Sequence, residues 1–440
     1  MPIWAIVWFI FMNLINISQN LKKNALVKHS AVFFTGSMIA SIMGYLYHLA
    51  MGRMLGPSNY AIVVSLLSLF TLISVPAGML QTVIAKFTAN AKADENFDYI
   101  NVLQKYFSKS FFYVGCVIFA VLAIFSKPIA GFLRIDSYIP VLILGVVFFV
   151  VLIVPVFRGV LQGLQRFKAL SLSLIADAMT KLGLGLLLVF MGLRVNGAIT
   201  AIAMSAYVGI LVTIFYLKDL KKFDKKVAIE KKKIFIYCIP VAVMLLTTAL
   251  YYNIDIIMVK HYFDGTDAGH YSALSMLGKI IVFGTMSIVG VMFPMVAEAF
   301  RKGENYSKFL WQSVGIVALL SGIGIAAYFI FPHFIIGLLY GKEYQVVAPY
   351  LGYVGIFMGL YAIVNIFAQF FISIQKYTPL ILLVIASILQ IVALMIFHSS
   401  IKEVIVVMNI VMVSLLVAFL VYYLFTKSSY NPQNLNEFKK

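Results

Sequence analysis

The sequence is a succession of apolar runs, separated by short polar or Gly/Pro-containing segments. A helix needs about 20 mostly apolar residues to cross the hydrocarbon of a bilayer. Twelve runs of that kind are predicted. Six lie near residues 30–52, 59–82, 106–126, 137–157, 168–191 and 196–217. The other six lie near 234–258, 270–297, 308–331, 349–372, 378–398 and 403–426. A water-soluble fold is excluded by composition: 62% of the residues are hydrophobic and 11% charged, against about 45–50% and about 25% in soluble domains. The fold class is therefore an all-α polytopic membrane protein with 12 transmembrane helices.

The 34 Lys and Arg outnumber the 16 Asp and Glu. On a soluble domain that excess would suggest nucleic acid; here it falls between the runs, so no nucleic-acid partner is expected. Cytoplasmic loops carry the Lys/Arg excess. One alternate set of loops holds twenty-five of these cations, eight of them between Lys218 and Lys233, and the other set holds seven. The remaining two, Lys181 and Lys279, fall inside runs. This alternation places both ends of the twelve-span core on the cytoplasmic side of the cell membrane. Met1–Ile17 form a further apolar run that fits a signal peptide poorly, with no positive residue before it and no small-residue cleavage site after it. An extra peripheral helix and an early start codon are both open readings of it.

The basic stretch KDLKKFDKKVAIEKKK divides the runs six and six. The predicted organisation is an N-terminal lobe at 21–217, a linker at 218–233, a C-terminal lobe at 234–426 and a tail at 427–440, with 1–20 left unassigned. The lobes resemble each other. Phe157-RGVLQGLQ-Arg166 returns as Phe367-AQFFISIQ-Lys376, Tyr60 as Tyr271, and the run end at Lys86 as Glu298. Near-equal offsets in chain order argue for duplication, and six spans per half make the repeats parallel. Two such lobes around a central cavity suit alternating access.

Enzyme chemistry has no foothold. No phosphate-binding GxxxxGK[ST] loop, HExxH helix or GxSxG elbow occurs, and Cys116 and Cys238 both sit in apolar runs. No cofactor and no metal site are expected; a coupling H⁺ or Na⁺ is.

Charge at the bilayer centre costs at least about 2.5–3.5 kcal/mol on insertion scales, so intramembrane ions mark candidate sites. Asp177 and Lys181 lie four residues apart on one helix face, either as a self-neutralising pair or as the polar floor of a cavity. Lys279 has no acid within one helical turn; it either snorkels to the interface or offers a fixed cation to an anionic substrate. Asp255, in YYNIDIIMV, reads as a solvated helix end or an ion-coupling carboxylate. Arg53 reads as an interfacial anchor or a substrate contact. Glu298 is expected to pair locally with Arg301 and Lys302, and His48 to be an interior histidine. Pro76, Pro155, Pro240, Pro294 and Pro349 are candidate kinks.

GRMLGPSNYAIVVSLLSLF resembles the first helix-turn-helix of polysaccharide biosynthesis proteins, the lipid-linked oligosaccharide flippases of the multidrug/oligosaccharidyl-lipid/polysaccharide (MOP) exporter superfamily. The match is carried by Arg53, Leu55-Gly56-Pro57 and Tyr60. NIDIIMVKHYFDGTDAGHYSAL is similar to the family's seventh span and following turn, through Asp255, Lys260 and Ala268-Gly269-His270-Tyr271-Ser272-Ala273. LLYGKEYQVVAPYL resembles the stretch before its tenth span. The resemblance implies two six-helix lobes around a cationic cavity. It also implies translocation of a polyprenyl-diphosphate-linked oligosaccharide, with Lys279, Lys181 and Arg53 as candidate substrate contacts and Asp255 and Asp177 as candidate coupling groups. Expected partners are that substrate and membrane lipids, with polysaccharide polymerases or glycosyltransferases as further candidates, around a monomer.

A cation-coupled multidrug exporter is the alternative, although acids do not dominate the mid-membrane charges. A major-facilitator transporter would need a GxxxDRxG[RK]-type loop where this chain has KFTANAKADENFDYINVLQK. A structural scaffold would not need Lys279. Reporter fusions at Lys23 and Phe438 should both signal cytoplasm; a periplasmic signal from the second would overturn the twelve-span count.

Overall fold

The computed structural model describes residues 25–223, 227–228, 242–374 and 376–428. Met1–Ile17, half of the basic linker and the tail beyond 428 lie outside the described residues. Among the described residues every regular element is helical.

The first half begins with α1 (Ala25–Ala93), 69 residues long, in which Gly56 leaves helical geometry at φ 70°, ψ 172°. That backbone suits glycine, which lacks the Cβ that makes positive φ unfavourable. Pro57 follows with a φ preset for a helix start, so two predicted runs become one kinked pair. Then come α2 (Phe97–Ile124), the short α3 (Ser126–Phe132), α4 (Ile139–Val151), α5 (Val154–Gly163), α6 (Phe167–Leu188) and α7 (Arg194–Tyr216). A π-turn at Val189–Leu193 joins the last two.

The second half has α8 (Ala242–Tyr251) and α9 (Ile254–Tyr262), then α10 (Gly265–Lys302), α11 (Ser307–Ile330) and the short α12 (Pro332–Leu339). A 3₁₀ stretch at Lys342–Tyr350 leads into α13 (Leu351–Ser373), followed by α14 (Leu380–Ile396) and α15 (Ile401–Ser428). The order repeats across the halves, with α3 and α12 each following a long helix. Among the described residues eight helices are long and apolar enough to cross a membrane, or nine when α8 and α9 count as one bent span. Ile124, Phe190 and Phe425 are 74%, 84% and 73% exposed, an apolar surface that suits lipid and would aggregate in water.

Contacts group the chain into two compact units. The first comprises Met1–Tyr47, Ala77–Ile124 and Leu142–Phe235. Small residues set its spacing: a Cβ at Gly159 would lie 2.7 Å from the Gln81 carbonyl, and one at Gly163 would lie 2.5 Å from that of Ala85. Arg166 forms a two-pronged pair with Asp219 and also donates to Tyr216 O at 2.6 Å. The hydrogen bond from Arg166 holds the Asp219 carboxyl below the usual carboxylate range. Stabilisation from a depressed carboxyl is complete above its unfolded pKa and fades as pH falls through the folded one.

The second unit comprises His48–Pro76, Phe125–Val141 and Ile236–Lys440. Its core is aromatic. Trp311 Nε1 donates to Tyr423 Oη at 3.2 Å, and Phe367, Phe370, Phe371 and Phe419 pack around them. At the end expected to face outward, a Cβ at Gly269 would fall 2.0 Å from Pro57 O, whereas one at Gly290 would meet nothing within 4 Å. Gly269→Val should therefore destabilise the protein by about 1–3 kcal/mol or more, and Gly290→Ala should be neutral or slightly stabilising. Thermal unfolding in detergent distinguishes the two.

Candidate functional site

The seventh span is broken. α8 and α9 meet at 43°, with Tyr252 and Asn253 between them and neither proline nor glycine at the break. Carbonyls freed by a break in hydrocarbon need other partners, and here three side chains serve. Gln390 Nε2 donates to Tyr251 O at 3.2 Å, Tyr361 Oη to Thr248 O at 3.4 Å, and Asn253 Nδ2 to Ala249 O at 2.9 Å.

Asp255 occupies the first turn of α9, where the helix dipole favours an anion. It is fully buried. Tyr271 Oη and Ser275 Oγ of α10 donate to its Oδ2 at 2.8 and 3.2 Å, while its Oδ1 has no hydrogen-bond partner among the described residues. Tyr271, Ser275 and Lys279 follow at four-residue steps and share a helix face. Lys279 Nζ donates to Asn253 Oδ1 at 3.3 Å and lies 5.1 Å from the centre of the Tyr252 ring. Asp255 and Lys279 belong to one cluster of α9 and α10 side chains, with no direct ion pair between them among the described residues. Asp255 is thus not a solvated helix end, and Lys279, 5% exposed, does not snorkel. The hydrogen-bond partner of Lys279 is Asn253, at the break, and not a residue of its own helix.

In the first unit, Asp177 does not pair directly with Lys181. Its ion partner is Arg158, whose guanidinium lies 3.0 Å from Asp177 Oδ2 and also holds Ser173 Oγ at 3.1 Å. Lys181 Nζ sits 5.4 Å over the Tyr47 ring, and Tyr47 Oη donates to Ala198 O at 2.9 Å. Arg158, counted with the loop cations in the sequence, lies inside α5 and is 12% exposed at its side chain. Glu298 pairs with Lys302 at 2.5 Å, as expected.

Arg53 lies at the motif end of the second unit. Its Nε donates to Leu339 O at 3.0 Å and its other nitrogen to Leu338 O, so it caps the C-terminus of α12, where cations are favoured. The short helix of the other half is capped in the same manner: Lys260 Nζ donates to Arg134 O at 3.1 Å and His261 Nδ1 to Phe132 O at 2.7 Å. The motif segments converge here. Tyr344 Oη donates to Gly52 O at 2.8 Å, and His270 Nε2 donates to Glu343 O at 2.9 Å. Tyr60 Oη bonds Tyr340 Oη at 3.2 Å and approaches His48 Nδ1 at 3.5 Å. The AGHYSA stretch, expected as a turn, is the first part of α10, and Tyr271 from it donates to Asp255.

The signature of the family described as Polysaccharide biosynthesis protein matches residues 26–300. The chain belongs to that family. It is also similar to an uncharacterized membrane protein of Methanocaldococcus jannaschii, 25% identical over 291 residues, or 62% of this chain and 68% of that one. Among solved structures, it is similar to the inward-facing conformation of a multidrug resistance MATE family transporter of the MOP superfamily. That likeness has a TM-score of 0.77 at 15% identity and covers 90% of this chain and 96% of that one. It is also similar to the inward closed lipid II flippase MurJ, with a TM-score of 0.72 at 13% identity and coverage of 89% and 87%. A MOP superfamily transporter from Pyrococcus furiosus, whose reported binding pocket has reversed polarity, gives 0.64 at 18% identity over 91% and 95%. The family member thus has the MOP exporter fold.

Asn253, Tyr252, Ser275 and Arg158 are not candidate site residues from the sequence, and Tyr271 is named there only as a motif and repeat position. Tyr271 and Asn253 stood inside quoted motifs, but their bonds cross between helices. Because Asp255 and Lys279 share one polar cluster, their substitutions should not add. Asp255→Asn and Lys279→Met should each destabilise the protein, and the double variant should recover a coupling energy of about 0.5–3 kcal/mol. Unfolding of the four proteins in detergent measures it; strict additivity would separate the two charges.

Proposed function

We propose that this protein is a flippase that carries a polyprenyl-diphosphate-linked oligosaccharide across the cytoplasmic membrane for polysaccharide biosynthesis. The observation that carries the reading is the family signature over residues 26–300. The fold likeness to a lipid II flippase and to MATE transporters supports it. Twelve spans in two six-span lobes, 21–217 and 234–426, with both core ends cytoplasmic, complete the topology. The protein is a transporter and not an enzyme.

In this reading Lys279, Lys181 and Arg53 remain the candidate substrate cations, with different tasks. A diphosphate spreads its negative charge over several oxygens and needs a cation in a low-dielectric setting, where charge-assisted hydrogen bonds are strong. Lys279 has one neutral acceptor, Asn253, and one acidic neighbour, Asp255. Neutralising Asp255 would leave Lys279 an uncompensated cation that favours a phosphate. The Asp255 carboxylate, with the hydroxyls of Tyr271 and Ser275 and its own unpartnered Oδ1, suits a proton or Na⁺ in that role. Asp177 is the matching candidate in the first unit, with Arg158 as its counter-charge. Arg53, as the cap on α12, has its guanidinium committed to two carbonyls and must release them to meet a substrate.

Lys279→Ala should strongly reduce export and accumulate lipid-linked sugar on the cytoplasmic face, while membrane insertion stays normal. Lys279→Arg should retain part of the activity, because the charge survives with altered geometry. Full activity of the alanine variant would remove Lys279 from the site. Unchanged envelope polysaccharide in a deletion strain that accumulates cationic drugs would instead favour the multidrug exporter of the same superfamily.

A further inference from the structure

A groove of about 390 Å³ runs along the first unit between the start of α1 and α6. Its walls are Val32 and Ile39 on one side and Leu172 and Ile175 on the other. Its floor is set by the approach of Gly36 to Ser171, where a Cβ would come within 2.3 Å of the serine Cβ. Ser171 Oγ donates to Val32 O at 3.1 Å, so the floor serine is satisfied; Thr35 adds one exposed hydroxyl to a lining that is otherwise apolar up to Lys168.

The polar end differs in kind. Lys168, in the first turn of α6, lines the groove and is exposed. Arg166, two residues earlier, is fully engaged by Asp219 and Tyr216, whereas Lys168 holds no ion pair among the described residues. The start of α6 has no side-chain cap, which leaves first-turn N–H groups free to meet an acceptor. An apolar channel that ends in an uncommitted cation, at the boundary where a membrane helix meets water, matches one ligand class. The apolar length takes an acyl chain and the cation takes a phosphate. Basic pockets between membrane helices bind anionic head groups on the same physical basis.

We propose that the groove between α1 and α6 is a site for one anionic phospholipid of the surrounding bilayer, its acyl chain lying along Val32, Ile39, Leu172 and Ile175 and its phosphate held by Lys168. The site uses none of the residues of the buried Asp255–Lys279 cluster and does not rest on the flippase reading. Charge complementarity selects an anionic lipid over a zwitterionic one, since a choline head group would set its own cation beside Lys168.

Native mass spectrometry of the detergent-purified full chain, titrated separately with phosphatidylglycerol and phosphatidylcholine, tests this. The wild type should retain one phosphatidylglycerol with a preference of about fivefold, the worth of one basic side chain at an anionic surface. Lys168→Ala should bring phosphatidylglycerol down to the phosphatidylcholine level, and Lys168→Arg should keep the preference. Ile39→Trp, which fills the groove, should weaken both lipids. Lys168 is exposed, so its variants should unfold at the wild-type temperature. Equal binding of the two lipids by the wild type, or a preference that survives Lys168→Ala, would overturn the proposal. So would a polyprenyl diphosphate that binds in the groove where phosphatidylglycerol shows no preference.

Discussion

Hydrocarbon offers no hydrogen-bond partner, so every place where this chain leaves the α-helix must find a side chain for the carbonyls it frees. The polar residues of the second unit follow from that need. At the α8–α9 break the partners are Gln390, Tyr361 and Asn253. At the end of α12 it is Arg53, and at the end of α3 Lys260 and His261. Each serves a carbonyl that a continuous helix would have satisfied within itself.

The break also explains why a charge can persist in the seventh span. A continuous helix would carry Asp255 with its N–H groups already used, in the most expensive surroundings the molecule offers. The restart at Ile254 places the carboxylate in a first turn, under two hydroxyls from α10, with Lys279 one turn further along the same face. Asn253 does two things at once: its amide nitrogen returns to Ala249 O and its amide oxygen receives Lys279. A loss at Asn253 would therefore reach both the backbone repair and the charge cluster.

The family motifs have a physical reading in the same region. Gly56 supplies a backbone angle other residues rarely adopt. Gly269 lets α10 approach the Pro57 carbonyl. Tyr344 ties the last motif to the first through Gly52 O. Segments more than two hundred residues apart thus form one packed end, and Tyr271 links that end to Asp255. The two short helices α3 and α12, each capped by cations from a span end, repeat one device in both halves, in keeping with the duplication read from Tyr60 and Tyr271.

Apolar run length, charge alternation and the order of motifs are local properties, and a bilayer turns them directly into helices. The sequence alone therefore determined the all-α membrane class, the runs that became α2, α11 and α15, the local Glu298–Lys302 pair and the family. Ion partners are not local. Asp177 lay four residues from Lys181, yet it binds Arg158, nineteen residues away on another helix. Lys279 has no acid within one turn of its own helix and donates instead to Asn253 at the α8–α9 break. The break at Tyr252–Asn253 carries no proline or glycine to announce it, because its stability comes from side chains of α13 and α14. Only the tertiary structure decided these, since a buried charge or a freed carbonyl is satisfied by whatever packing brings within about 3 Å, and sequence spacing does not encode that distance.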